Sequence, residues 1–226
     1  MTSDELADLY RSPDSVPPVS ALADLDGVDW ASVSDAYGPA TDVPAFIRAM
    51  ASTESTHRDY AIGALFQTIW HQGTIYSASA KAVPFLLKLL EADGPHDKSA
   101  VAILLAELAD GQPSFHRCED NPEEAARWRE ILAKSNRSLD DELAAGRVYH
   151  ADIREQIFAQ LDLLYPFLRD ENPEVRQSIA VAIGSYPQVV ARVLSDLKEA
   201  LDQESDKYVR ETLEKIIQQG STDDHG

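Results

Sequence analysis

Residues able to do chemistry occur in this chain, but their spacing does not assemble a familiar catalytic set. The single cysteine, Cys118, lies in the run His116-Arg117-Cys118-Glu119-Asp120. Only one residue separates its histidine from its thiol, and no second ligand pair stands at zinc-finger distance. The acids that follow predict a raised thiol pKa, the wrong direction for a nucleophile. Six histidines are scattered, with no His-Glu-x-x-His helix, no Gly-x-Ser-x-Gly elbow and no phosphate-cradling glycine loop. Asp140-Asp141 and Asp223-Asp224 are adjacent and so point apart on a helix. The sequence therefore predicts no catalytic residue, no metal and no cofactor.

What remains is a set of polar side chains that share helix faces. At about 100° per residue, His57, Tyr60, Gln67 and His71 gather opposite Ile62, Leu65, Phe66 and Ile69 on a helix expected over residues 56–71. The same wheel puts Ser99 and Asp110 on the exposed side of a second helix, Gln177 on a third, and Glu211, Glu214 and Gln218 on the last. His57, Tyr60, Gln67, His71, Asp110, Gln177 and Glu211 are the candidate partner-binding residues, an aromatic and imidazole stripe grading into acid. Ordinary solvated faces are the alternative, with His71 satisfying terminal carbonyls before Gly73 and with Trp70 and Tyr76 as packing residues.

The balance of charge narrows the partner. The chain has 226 residues with 20 Lys+Arg against 39 Asp+Glu, a formal charge of −19. Such a surface repels phosphate backbones and anionic lipid, which argues against nucleic acid and membrane surfaces and points to a basic protein partner, or to solubility alone. Residues 1–45 hold nine acids and one base, Arg11. The longest apolar runs, such as residues 101–105, fall far short of the ~20 residues of a membrane span. Met1-Thr2-Ser3-Asp4-Glu5 does not read as a signal peptide, and one cysteine cannot close an internal disulfide. A cytoplasmic location is the expectation.

Hydrophobic residues make up 44% of the chain, enough for a packed core. They recur at i, i+3, i+4 and i+7, as a buried helical face requires. Val83, Leu86, Leu87 and Leu90 fit, as do Val101, Leu104, Leu105 and Leu108; Ile153, Ile157, Leu161 and Leu164; Val190, Val193, Leu194, Leu197 and Leu201; and Val209, Leu213, Ile216 and Ile217. No segment alternates long enough for a strand, so the class is all-α. Asn121-Pro122-Glu123-Glu124 and Asn172-Pro173-Glu174 pair a capping Asn with Pro at the first helical position and acids in the first turn. Gly73, Gly94, Gly111, Gly146 and Gly220 are expected helix stops. Residues 4–10 predict one weak helical turn, Pro13, Pro17 and Pro18 an irregular arm, and residues 29–37 a short amphipathic piece ended by Gly38-Pro39.

A phrase repeats. Val43-Pro44-Ala45-Phe46-Ile47, Val83-Pro84-Phe85-Leu86-Leu87 and Tyr165-Pro166-Phe167-Leu168 are variants of it, with Pro44 and Pro84 40 residues apart and Pro166 82 residues further on, two steps of 41. A second apolar helix follows each. A period near 40 with two helices per unit, together with Asp170-Glu171-Asn172-Pro173-Glu174-Val175-Arg176, resembles the HEAT repeats over about residues 42–219. The phrases Asp35-Ala36-Tyr37-Gly38-Pro39-Ala40-Thr41-Asp42-Val43-Pro44 and Trp70-His71-Gln72-Gly73-Thr74-Ile75-Tyr76 also resemble those of uncharacterised bacterial HEAT-like proteins common in actinobacteria.

The resemblance implies an α-α superhelix of about four helical pairs, its second helices lining a concave binding face. Residues 1–41 would form an acidic N-terminal cap, residues 122–147 an insertion or degenerate repeat, and residues 220–226 a disordered tail. It also implies a non-catalytic protein–protein interaction module. The sharpest form is an immunity-type inhibitor covering a basic bacterial toxin. The rivals are an enzyme of the HEAT-like DNA glycosylase type, which the charge of −19 disfavours, and a passive scaffold.

Overall fold

A computed structural model describes residues 1–16, 19–186, 190 and 192–222, with the side chains of 221 and 222 left aside. The chain begins with α1 (Ser3–Tyr10), held by a reciprocal cap in which the Glu5 N–H donates to Thr2 Oγ1 and the Thr2 N–H donates to the Glu5 carboxylate. Three-residue 3-10 turns follow, the last at Trp30–Ser32, and then a two-residue hairpin, β1 (Ser34–Asp35) with β2 (Gly38–Pro39). The amphipathic piece expected over residues 29–37 is thus not a continuous helix. Asp35 instead accepts the Tyr37 and Gly38 N–H groups and makes a turn. Pro17 and Pro18 lie outside the described residues.

Helices α2 (Val43–Ala49) and α3 (Ser55–Thr68) form the first pair. A second hairpin, β3 (Trp70–His71) with β4 (Thr74–Ile75), separates it from the second pair, α4 (Ser77–Glu91) and α5 (Lys98–Asp110). Its tight turn places Gln72 at φ 52° and Gly73 at φ 85°, the two positive values that a primed hairpin turn needs. Gly73 is therefore a hairpin glycine, and α3 ends at Thr68 rather than at His71. The strand β5 (Gln112–Pro113) adds parallel to β4 and ties the end of α5 to the hairpin.

Helix α6 (Pro122–Ala133), capped by Asn121 as its sequence predicts, leads to the long α7 (Leu139–Ala159). The short α8 (Leu161–Leu164) and a 3-10 segment, Tyr165–Arg169, extend it toward α9 (Pro173–Gly184). The described chain closes with α10 (Leu194–Gln203) and α11 (Lys207–Thr222).

Packing sorts the helices into two layers. In one, α2 meets α4, α4 meets α7, and the 3-10 segment after α8 meets α10; in the other, α3 meets α5, α5 meets α9, and α9 meets α11. This gives four helical pairs among the described residues: α2/α3, α4/α5, α7 with its extension/α9, and α10/α11. One core runs through all of them, from Phe46 and Leu65 through Leu86 and Leu104 to Ile179, Leu197 and Leu213. The N-terminal segment joins it with Leu6, Leu25 and Trp30, the last stacking at a tilt on Phe85 at 6.3 Å. No pair could hide both of its apolar faces alone, so stacking is what completes the core.

The spacing of Pro84 and Pro166 does not correspond to two repeats. Helices α5 and α9 are direct neighbours, with no pair between them. The extra residues form a hairpin of α6 against the N-terminal part of α7, whose small cluster of Cys118, Ala125, Leu132 and Leu139 is separate from the main core. Pro44, Pro84 and Pro166 each sit in the first-layer part of a pair, yet in different backbone settings. Pro44 is in the first turn of α2, Pro84 is inside α4, and Pro166 is the second residue of the 3-10 segment.

Two further glycine expectations fail. Gly146 lies inside α7, where a Cβ would stand 2.9 Å from the Pro113 Cβ, so close approach of β5, not a helix stop, demands it. Gly220 lies within α11, which continues to Thr222; residues 220–222 are helix, and 223–226, including Asp223-Asp224, lie outside the described residues.

The turn inside three of the four pairs carries a repeated device. Arg58 Nη1 donates to the Ser52 and Thr53 carbonyls, and Arg176 Nη1 donates to those of Asp170 and Glu171, six and five residues upstream in both cases. Arg210 Nη1 caps the Glu204 and Leu201 carbonyls in the same way. Each arginine satisfies orphan carbonyls at the end of the preceding helix. In α5 the position four after the N-cap Asp97 is held by the fully buried Val101, which accounts for the missing Val-Arg pair there.

Candidate functional site

Three candidate residues from distant parts of the chain converge. Asp110 at the end of α5, Gln177 on α9 and Glu211 on α11 line one groove of 480 Å³ on the second-layer helices. Tyr208, 66% exposed, and Val181, 37% exposed, line it as well. The Gln177 side-chain amide donates to Thr212 Oγ1 at 3.1 Å, and that hydroxyl donates to the Tyr208 carbonyl at 2.9 Å, fixing the adjoining walls to each other. Tyr208 is placed by an Asp206 carboxylate that accepts its N–H and that of Val209.

The charges of the groove are unevenly answered. Glu211 meets Lys207 at 3.6 Å across one helical turn, an exposed pair. The Asp110 carboxylate has no cation within ion-pair distance among the described residues, and Glu107, one turn back, has none either. Helix α5 has no basic residue in its last turn, so both acids stand at the negative end of the helix dipole. Partial burial, and after it the charge of Asp110, pushes the Glu107 carboxyl above the ordinary range.

The remaining candidates lie elsewhere. His57 is turned toward the N-terminal segment: its Nδ1 is 2.6 Å from the Tyr10 hydroxyl, which also bonds Ser52 Oγ, and the two rings meet edge to face. It binds α1 to α3 and is not an open contact residue. Tyr60, 49% exposed, and Gln67 are on the open side of α3 as the wheel predicts. His71 is on β3, not on α3, and its ring lies edge-on to the exposed Tyr37 at 6.0 Å. Neither the helical wheel nor the terminal-carbonyl role holds for it, because the helix stops before reaching it. Ser99, expected on the surface, is buried, with its hydroxyl on the Asp97 cap. Gln67 and Tyr37 share a smaller cavity of 230 Å³ with Asp4, Asp35 and Asp42.

Sequence reasoning overlooked Tyr208 and Val181. Their signal was present: both are large side chains one helical turn from a polar groove residue, Tyr208 from Thr212 and Val181 from Gln177. The Cys118 thiol is buried and pushed upward, by burial first and by Glu124 second, rather than by its sequence neighbours. Among the described residues no group of three or more His, Cys, Asp and Glu side chains converges as metal ligands would, and no helix is long and apolar enough to cross a membrane.

Against this geometry, residues 128–217 match the family of HEAT repeats. That stretch is built of HEAT repeats. The matched stretch takes in α7, α9, α10 and α11, and so contains two of the three groove-lining helices and the arginine-capped turns at Arg176 and Arg210. Before it, the α2/α3 and α4/α5 pairs continue the same two layers. No curated protein and no solved structure matches the chain.

Proposed function

We propose that this HEAT-repeat protein is a non-catalytic binding module for a basic protein. HEAT repeats are in general protein-interaction or scaffold units, and solenoids use extended faces for that purpose. The single observation that carries the basic partner is the groove that Asp110, Gln177 and Glu211 line together with the exposed Tyr208. Aromatic anchors flanked by acids are what a cationic partner would use, and the formal charge of −19 would speed the encounter. The same charge disfavours the enzymatic rival, which must hold a phosphate backbone. The narrower form of the reading is inhibition of a basic toxin by covering its charged face.

The test is co-expression of the chain with the product of an adjacent gene, followed by calorimetry of the purified pair at rising ionic strength. Binding that weakens about tenfold or more between ~0.05 and ~0.3 M salt is expected. A complex whose affinity ignores salt, or a chain that binds duplex DNA in preference to basic protein, would overturn it.

A further inference from the structure

The hairpin of α6 and the N-terminal part of α7 stands outside the core that unites the four helical pairs. Its interior is its own: Cys118, Ala125, Leu132 and Leu139 are buried, and Phe115, Trp128 and Leu143 pack around them. Of the 12 residues of α6, only Ala125 and Leu132 are buried. The helix packs chiefly on α7 and on the 3-10 turn His116–Glu119. Within the hairpin, Phe115 and Trp128 meet edge to face at 5.0 Å, and Arg129 pairs with Asp140 and Arg137 with Glu142 on its surface. Stabilisation scales with the apolar area buried, so four small-core side chains hold far less than the solenoid core does, and exposed ion pairs add little.

Both places where this hairpin joins the solenoid carry a backbone weakness. On α7 it is Gly146, in mid-helix between Leu139 of the small core and Ile153 and Ile157 of the main one. Glycine is a poor helix former, so a helix that is to end early ends there most easily. Before α6 it is Phe115, held at φ 66°, a left-handed conformation that bulky aromatic residues rarely adopt. Unfolding of α6 removes the Trp128 contact and frees Phe115 from that conformation. Across the seam, Arg147 donates to Glu119 at 2.6 Å in an exposed pair, and Gly146 lies close against Pro113.

We propose that residues 114–145 form a detachable arm, which opens and unfolds as one unit while the stacked helical pairs stay folded. Helix α7 is then shortened to its part beyond Gly146, which keeps Ile153 and Ile157 in the main core. Helices α5 and α9 remain neighbours, because the arm does not lie between them. Only the small core is given up, so the open form lies much nearer the native state than global unfolding does. This two-state element belongs to the fold and does not depend on what the chain binds. Cys118 reports its state, being the one cysteine of the chain and buried in the small core.

The experiment is labelling of Cys118 in the full chain with the thiol reagent DTNB, at fixed pH and at urea concentrations below the unfolding transition, paired with hydrogen exchange read by mass spectrometry. The labelling rate should rise with urea, with a slope roughly one-fifth or less of that of global unfolding, because far less surface is exposed. Exchange of α6 and of the first turns of α7 should keep step with it, while α5 and α9 stay protected. Leu132→Ala, in the small core, should speed labelling at least about tenfold and leave the protection of α5 and α9 unchanged. Leu213→Ala, in the main core at α11, should loosen α11 and leave Cys118 labelling within about twofold of wild type. Labelling that follows the global slope, or that ignores urea, overturns the proposal. So does a Leu132→Ala effect on labelling no larger than that of Leu213→Ala.

Discussion

Replacing Glu204 by Gln tests the strongest electrostatic claim about the fold. The Glu204 side chain is 3% exposed and joins the third and fourth helical pairs. Its Oε2 accepts Arg176 Nε at 2.7 Å and its Oε1 accepts Arg176 Nη2 at 2.8 Å, while the Ser205 and Asp206 N–H groups also donate to Oε1. Arg176 in turn closes the turn before α9. Gln keeps the shape and one acceptor oxygen, but it turns an amide toward the guanidinium and leaves that buried cation without its counter-charge. Removing one partner of such a pair costs about 3–5 kcal/mol. Arg176 retains 15% side-chain exposure and two carbonyl partners, so about 2–4 kcal/mol is expected here.

The loss should depend on pH. Arg176, ahead of the opposing effect of burial, holds the Glu204 carboxyl below its ordinary value. A carboxylate depressed by folding contributes stability above its unfolded pKa of about 4.3, and that contribution disappears as pH falls through the lower folded value. Urea unfolding of wild type and variant at pH 7 and near pH 3 is the assay. It should be paired with hydrogen exchange, because a solenoid opens first at a terminal unit, here α10 and α11. The gap should be widest at pH 7 and shrink in acid, with protection lost first in α11. A gap below about 1 kcal/mol, or one unchanged at pH 3, would refute the reasoning. Arg176→Met combined with Glu204→Met should recover much of the loss, since an apolar pair leaves no stranded charge.

Other outcomes follow from named contacts. Arg48, 3% exposed, donates to the Tyr10 and Arg11 carbonyls and to Asp26, so Arg48→Met should cost about 1–3 kcal/mol and make residues 1–30 the first site of limited proteolysis. Burial pushes the His96 imidazole below its ordinary value against a smaller opposing effect of the Leu89 backbone; a group neutralised by folding destabilises the fold as pH falls below its unfolded pKa of about 6.5. His96→Leu should therefore flatten the decline of urea midpoint between about pH 6.5 and pH 5 that the wild type shows.

Helix existence and class were legible in the chain because they depend on local periodicity. The apolar stripes at Val83 to Leu90, Val101 to Leu108 and Ile153 to Leu164 are buried as their spacing demands. The caps at Asn121 and Asn172 also act locally, each accepting an N–H from the first turn. The second-layer positions of Asp110, Gln177 and Glu211 were legible for the same reason, since a wheel needs only the helix that carries each residue. What the wheel could not decide was which faces meet. That Asp110, Gln177 and Glu211 share a groove, while His57 serves Tyr10 and His71 lies on a strand, depends on contacts between residues up to about a hundred positions apart.

Only the tertiary structure showed that α5 and α9 are direct neighbours although 82 residues separate Pro84 from Pro166, since the sequence carries spacing but not adjacency. The same holds for Gly73 and Gly146. A glycine signals that a Cβ is unwelcome, and only the packed chain reveals whether a hairpin turn at φ 85° or the approach of Pro113 excludes it. Local patterns determine elements because their energies arise within a few residues. Sites arise from the stacking of whole units, where burial and unpaired charge are settled by neighbours the sequence does not place.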